Sequence, residues 1–397
     1  MLFQFILLFS LALSETCTRH PVVIVPGIMA SMLNAVVHIP DDVDFRDRKL
    51  ACDRNKDEFR LWLSLKDGIP YMNDCQMAYL TCHYNETSGL MENVEGVNIY
   101  PPDFVSTYAV DEICPSIPLK RFTRAFHEII KGLETIGYVD KVDLFSAPYD
   151  WRYYHHDDYL ENTKKLIEEA YNKNQQKVVI LSHSMGGMTT YILLDYFGKE
   201  FCDKYILRWI AMSTPFIGTG IANDVALGGY NMGYPVSKEL IKKTARTFEA
   251  LVMMAPIGGY WNSSDVLVEM GDGTTYTADT LWELYEQIDL MKPFAKKALQ
   301  ESFKPFLDKW ESKVPFDVEM HCAITSGLET SGKITFKGDI DSDFTIDTVD
   351  GDEEVAINSL EYCKMMTSNF TNLGKYNHQG MLLEKVTVDY VKNLACF

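Results

Sequence analysis

A serine hydroxyl becomes a nucleophile only when a base takes its proton and a carboxylate fixes that base in the right tautomer. Three stretches of this 397-residue sequence offer those groups. Ser184 stands in Ser182-His-Ser-Met-Gly186, a small-x-Ser-x-Gly spacing. Asp352 stands in Asp350-Gly-Asp-Glu-Glu-Val355, and His378 in Asn377-His-Gln-Gly-Met381. The chemistry such a set performs is acyl transfer through a covalent ester on Ser184.

The elements around these residues decide whether the pattern is more than an accident. Val178-Val-Ile-Leu181 is a short β-branched run, the mark of a strand buried on both faces of a parallel sheet. The residues after Ser184 continue as a helix, with Met188, Ile192 and Tyr196 on one stripe. Strand, sharp turn and helix form the context of a nucleophile elbow, where crowding demands small residues at 182 and 186. On an α/β-hydrolase scaffold the chain order is serine, acid, histidine. Asp352 follows a late strand at a turn and His378 precedes the last helix, as that order requires; Asp350 is the nearer rival for the acid. Gly271-Asp-Gly-Thr274 also resembles an acid turn, but it falls in an irregular stretch. An oxyanion hole needs two backbone N–H groups, expected from Met185, just after the nucleophile, and from Ile28, just after the Pro26-Gly27 turn.

The rest of the chain supplies the frame. His20 to Ile28 reads as an early strand ending at the sheet's carboxyl edge, where open α/β sheets bind ligands. Residues from about 45 to 92 break the rhythm: Cys52 and Cys75 bracket a charged stretch and Leu61-Trp62-Leu63. Those three are either ordinary packing or residues that insert into a lipid interface. Alternation resumes with a helix over 121–138 (Phe122, Phe126, Ile129, Ile130, Leu133, Ile136), a strand at 142–145, a helix over 158–174, the elbow, and a strand at 205–212. That is a β-α-β-α-β run, the pattern of a mostly parallel sheet with helices on both faces. The pattern loosens from about 216 to 310, as a cap of short helices and loops would. Strands follow at 318–324 and 344–349, then a closing helix over 381–394 with Leu383, Val386, Tyr390 and Leu394 as its apolar set.

Composition bounds the setting. Residues 1–14 read as a secretory signal peptide, leaving 15–397 as the mature chain, with no later stretch apolar enough to span a bilayer. Nine cysteines and three sequons, at Asn85, Asn262 and Asn369, agree with an oxidising route. A net charge of −19 argues against nucleic acid and against purely electrostatic docking on anionic membranes at neutral pH. His155-His-Asp-Asp158 suits a solvated helix start better than a metal site, so no metal and no cofactor are expected.

Over essentially all of its mature length the chain resembles the lecithin–cholesterol acyltransferase and lysosomal phospholipase A family. Val25-Pro-Gly27, Ala147-Pro-Tyr-Asp-Trp-Arg152, His183-Ser-Met-Gly186, Asp350-Gly-Asp352 and His378 occur in family order. The resemblance implies an α/β-hydrolase core, a small membrane-binding subdomain over 45–95, and a cap with a mobile lid over 215–310. It implies Cys52–Cys75 and Cys322–Cys363 disulfides. It also implies attack of Ser184 on a phospholipid ester at a membrane or lipoprotein surface, with transfer to a sterol or ceramide-like alcohol or to water. It assigns no partners to Cys17, Cys82, Cys114, Cys202 and Cys396; a Cys82–Cys114 bridge is the one pairing offered for them. Two departures bear on acceptor choice and positional selectivity. Ala30-Ser31-Met32 stands where the family has Gly-Asn-Gln, and Asp352-Glu-Glu-Val355 where it has Asp-Gly-Thr-Val.

Overall fold

A computed structural model describes residues 17–43, 52–64, 70–114, 123–154, 157–234 and 236–397. The expected signal peptide, the start of the 45–95 excursion, and His155 and His156 lie outside these residues.

Six parallel strands form the central sheet. They are β1 (Val22–Val25), β2 (Leu144–Ser146), β3 (Val178–His183), β4 (Ile206–Met212), β5 (Glu319–Ile324) and β6 (Phe370–Asn372), in the spatial order β6-β5-β4-β3-β1-β2. The chain leaves β1 toward one edge and returns on its other side at β3, so the strand order reverses between these two neighbours. In open α/β sheets ligands bind at the carboxyl ends of the strands at such a point. Val25 pairs with Ser182, which sets Gly27 and Ile28 beside Ser184.

Apolar runs on both sides of the pleat explain why the sheet is covered twice. Val23, Val25, Ile180, Trp209 and Ala211 face one cluster, and Val22, Ile24, Val179, Leu181 and Ile210 face the other. Helices α2 (Asp157–Asn174) and α3 (Met185–Phe197) cover the first face. Helices α1 (His127–Glu134) and α4 (Lys385–Ala395) cover the second. This is the α/β-hydrolase arrangement. No helix among the described residues is long and apolar enough to cross a membrane.

Several sequence expectations need correction. Helix α3 is buried on every side from Met185 to Leu194, not on a stripe, and Tyr196 is exposed. On α4 the buried stripe is Thr387, Val391 and Ala395, while Val386 faces solvent. Hydropathy favoured valine over threonine there, but packing against α1 fixes the face. The strand at Phe344–Gly351 is not in the central sheet. It pairs antiparallel with Leu328–Phe336, unforeseen from the sequence, in a separate four-stranded sheet. Cys82 and Cys114 are not bonded; each is a free, buried thiol, as is Cys202. Cys52 bonds Cys75 and Cys322 bonds Cys363, and a third bridge, Cys17–Cys396, joins residues 379 apart.

In and around the excursion, Asn55–Trp62 joins the flanking strands Leu33–His38 and Val97–Tyr100 in a three-stranded sheet, and Cys82–Asn85 and Leu90–Asn93 form a hairpin. The fully buried Arg152 stitches these to the core. It pairs with Asp150 and donates to the Leu80 carbonyl at 3.0 Å and to Asn93 Oδ1. Its own carbonyl accepts from Ala250 N of the 215–310 segment at 3.1 Å.

Candidate active site

Ser184 caps the start of α3 with φ 57° and ψ −133°, a backbone conformation that a non-glycine residue holds only where its surroundings force it. Ser184 N donates to the Met212 carbonyl at 2.9 Å, and Gly187 N to the Ser184 carbonyl at 2.9 Å. The crowding anticipated from the sequence is present. A Cβ at Gly27 would come within 2.8 Å of the Ser184 Cβ, and one at Gly186 would strike the carbonyls of Val25 and Pro26. Ser182, where a glycine would also fit, has a task of its own: its Oγ accepts the indole N–H of buried Trp209 at 2.7 Å.

Asp352 and His378 meet. Asp352 is fully buried; its Oδ1 accepts from Val355 N at 2.8 Å and Glu354 N at 3.2 Å, and its Oδ2 lies 2.8 Å from His378 Nδ1. His378 N donates to the Asp352 carbonyl at 2.8 Å, so backbone and side chain hold the two loops together. The carboxylate thereby fixes the proton on Nδ1 and points Nε2 away from it. His378 Nε2 is buried and has no hydrogen-bond partner. Ser184 and His378 line one cavity. Burial pulls the imidazolium down, but the charges of Asp352 and Glu354 outweigh it and push His378 up to about 9. His183, inside the elbow, lies with its ring 4.6 Å from that of His378, and its Nε2 donates to the His378 carbonyl at 3.0 Å. Burial holds His183 well below the usual histidine range, so it stays neutral.

The rival acids lie elsewhere. Asp350 is exposed and accepts from Gly327 N, and Asp272 closes an exposed turn. Met185 N–H, at the first position of α3, has no intrahelical acceptor, and Ile28 lines the cavity beside Ser184.

The cavity is apolar. Its walls include Trp62, Leu63, Leu80, Phe248, Leu251 and Met254, drawn from the excursion and from the segment after 215. Leu61, Trp62 and Leu63 are therefore not displayed for insertion into a lipid interface: they are 1%, 4% and 5% exposed. The Trp62 indole N–H donates to the Met29 carbonyl at 3.0 Å, and its ring packs against Trp151 and Tyr234. A second, more polar groove shares Ile28, Met29, Leu63, Tyr234 and Glu354 with the first, and adds Thr123, Arg124, Asn377 and Gln379. Glu354 went unremarked in the sequence except as a departure within the acid turn. Among the sequons, Asn262 and Asn369 are exposed, and half-buried Asn85 donates to Glu92 at 3.0 Å. Among the described residues no group of three His, Cys, Asp or Glu is placed to hold a metal ion.

The chain is similar to known proteins over most of its length. It is 28% identical to a lysosomal phospholipase A and acyltransferase of Bos taurus, covering 98% of this chain and 95% of that one. The Homo sapiens protein of the same name is 27% identical over 95% of this chain and 88% of its own. A phosphatidylcholine-sterol acyltransferase of Gallus gallus is 27% identical over 88% of this chain and 82% of its own. Among solved structures, a chain of the Tle4–Tli4 complex aligns with TM-score 0.53 and 13% identity, covering 95% of this chain and 99% of that chain, a likeness of fold alone. Since the model of the lecithin:cholesterol acyltransferase family matches residues 58–309, well over half of the sequence, the chain belongs to that family.

Proposed function

We propose that the protein transfers an acyl group from a glycerophospholipid, through an ester on Ser184, to a lipid alcohol such as a sterol or ceramide-like molecule, or to water. The observation that carries this is the opening of the strained Ser184 turn into an apolar cavity shared with His378, whose far nitrogen is held by buried Asp352. The apolar walls suit an acyl chain. His378 Nε2 takes the Ser184 proton as Oγ attacks the ester carbonyl, and the N–H groups of Ile28 and Met185 receive the oxyanion. Collapse expels the lysolipid alkoxide, which takes the proton from Nε2. The acceptor alcohol or water then gives its proton to Nε2, attacks the acyl-enzyme and restores Ser184. The polar groove beside the same centre offers the acceptor, alcohol or water, a way to the acyl-enzyme.

We read the 215–310 segment as a cap over the acyl chain, and the 45–95 excursion as the part nearest the membrane or lipoprotein surface. The chemistry needs no cofactor. The name of the phospholipase relatives points to the lysosome for this chain too, and the expected signal peptide and sequons to the lysosomal or secreted route. The test combines a fluorophosphonate probe with mass spectrometry of products from mixed liposomes, with and without a sterol or ceramide, at acidic and neutral pH. Labelling at Ser184 and a new acyl ester of the alcohol are expected. Equal labelling of wild type and Ser184→Ala would reject the nucleophile, and lysolipid with free fatty acid but no acylated alcohol would reduce the activity to a phospholipase.

A further inference from the structure

A carboxylate faces each nitrogen of His378. On the Nδ1 side stands Asp352, and on the Nε2 side the Glu354 carboxylate lies 3.8 Å away, with the Glu354 side chain only one-fifth exposed. That distance is too long for a hydrogen bond and right for an ion pair once Nε2 carries a proton. Glu354 sits in the wall common to the apolar cavity and the polar groove, next to the nitrogen that must exchange protons with Ser184, leaving group and acceptor. Nε2 has no hydrogen-bond partner among the described residues.

We propose that Glu354 is a positioning residue for His378: its carboxylate pairs with the imidazolium at Nε2 and sets the pH at which that nitrogen is free to act as a base. This rests on the acyl-transfer reading above, and the experiment below separates the two. The other groups around the pair fit. Asp352 and Glu353 are on the same turn; His183, on β3, is neutral; Tyr230 and Tyr234 come from the segment after 215. Burial raises both phenols, and the Glu354 charge raises them further, so neither ionises near neutral pH. Arg124 lines the polar groove but is engaged by Glu128 at 2.8 Å and Glu112 at 3.5 Å. Burial raises Glu354 itself, and the nearby imidazolium opposes that rise, so the two protons titrate as a coupled pair.

The sign follows from the charge. With Glu354 ionised, the imidazolium is favoured and the base becomes available only at higher pH. Removing the charge moves that point down. It also makes Nε2 a weaker base, so the rate on the alkaline plateau falls.

The rate of fluorophosphonate labelling of the full mature protein, followed from acid to alkaline pH, reads both effects. Glu354→Gln should lower the midpoint of the acid limb by about 1–2 pH units. The same variant should reduce the plateau about three- to tenfold. Glu354→Asp, which keeps the charge, should stay near the wild-type midpoint, and Glu354→Thr, a second neutral replacement, should move as Gln does. Neutral variants that lose rate with an unmoved midpoint would overturn the proposal, since a structural role does only that. Labelling of Ser184→Ala at the wild-type rate would instead remove the nucleophile on which the proposal rests.

Discussion

At the scale of single residues, Asp352 and His378 fix each other, while His378 Nε2 is left without a hydrogen bond in the cavity that Ser184 also lines. Asp352 accepts two backbone N–H groups as well as the His378 ring, so it cannot rotate away. Asp352→Asn would keep the shape but let the histidine adopt the wrong tautomer. Turnover of a short-chain ester should fall about 10⁴-fold with the melting temperature nearly unchanged. A small loss would mean that another acid supports His378. The sharp turn at Ser184 and the pairing of Asp352 with His378 were legible in the sequence, because order and context select those residues. Glu354 was not, because only the folded turn brings its carboxylate to Nε2. Ser182 was legible as small, whereas its partner Trp209 lies on the next strand and had no local signal.

At the scale of elements, the elbow and the Arg152 junction carry sharp expectations. Gly186→Ala would push a methyl into the carbonyls of Val25 and Pro26, separating β1 from α3. Destabilisation of about 1–3 kcal/mol in a denaturant titration is expected, together with a loss of labelling at Ser184. Arg152→Ala leaves Asp150, the Leu80 carbonyl and Asn93 without their buried partner, a cost of about 3–5 kcal/mol. A loss under about 1 kcal/mol would show that the excursion is held mainly by its apolar contacts. Trp62 separates the two readings open at the sequence level. Because it walls the cavity and bonds the Met29 carbonyl, Trp62→Ala should lose activity on a soluble short-chain ester as well as on liposomes. A loss confined to liposomes would restore an interfacial role. Five strands of the central sheet were readable from their apolar runs; β6, only three residues long, was not. The Leu328–Phe336 strand was missed because Gly332 and Lys333 interrupt its alternation.

For the whole molecule, the groups that burial or charge pushes up and the net charge act in one direction, with His183 acting against them. Burial pushes Asp224 up to about 6 and Glu249 up to about 7, and His378 stands at about 9. Each group binds its proton more tightly folded than unfolded, so stability rises as pH falls through these windows: from about 9 toward 6.5 for His378, and from about 7 toward 4 for the carboxyls. Relief of the −19 net charge adds to the same trend. Buried, neutral His183 opposes it as pH falls below about 6.5, and exposed carboxyls such as Glu92 and Asp272, held low by hydrogen bonds, oppose it only in stronger acid. The melting temperature should therefore be higher at pH 5 than at pH 8, by calorimetry at fixed ionic strength. The reverse order would mean that these buried groups do not titrate as their surroundings dictate.

The Cys17–Cys396 bridge imposes a timetable on biosynthesis. Its two thiols are made 379 residues apart, which at ribosomal speed is roughly 20 to 75 s. Throughout that interval Cys17 travels as an unpaired sulfur among cysteines that emerge sooner, Cys52 and Cys75 first. The cell must keep it from the wrong partner until the far end of the polypeptide arrives, so oxidative folding of this enzyme leans on disulfide exchange as much as on disulfide formation.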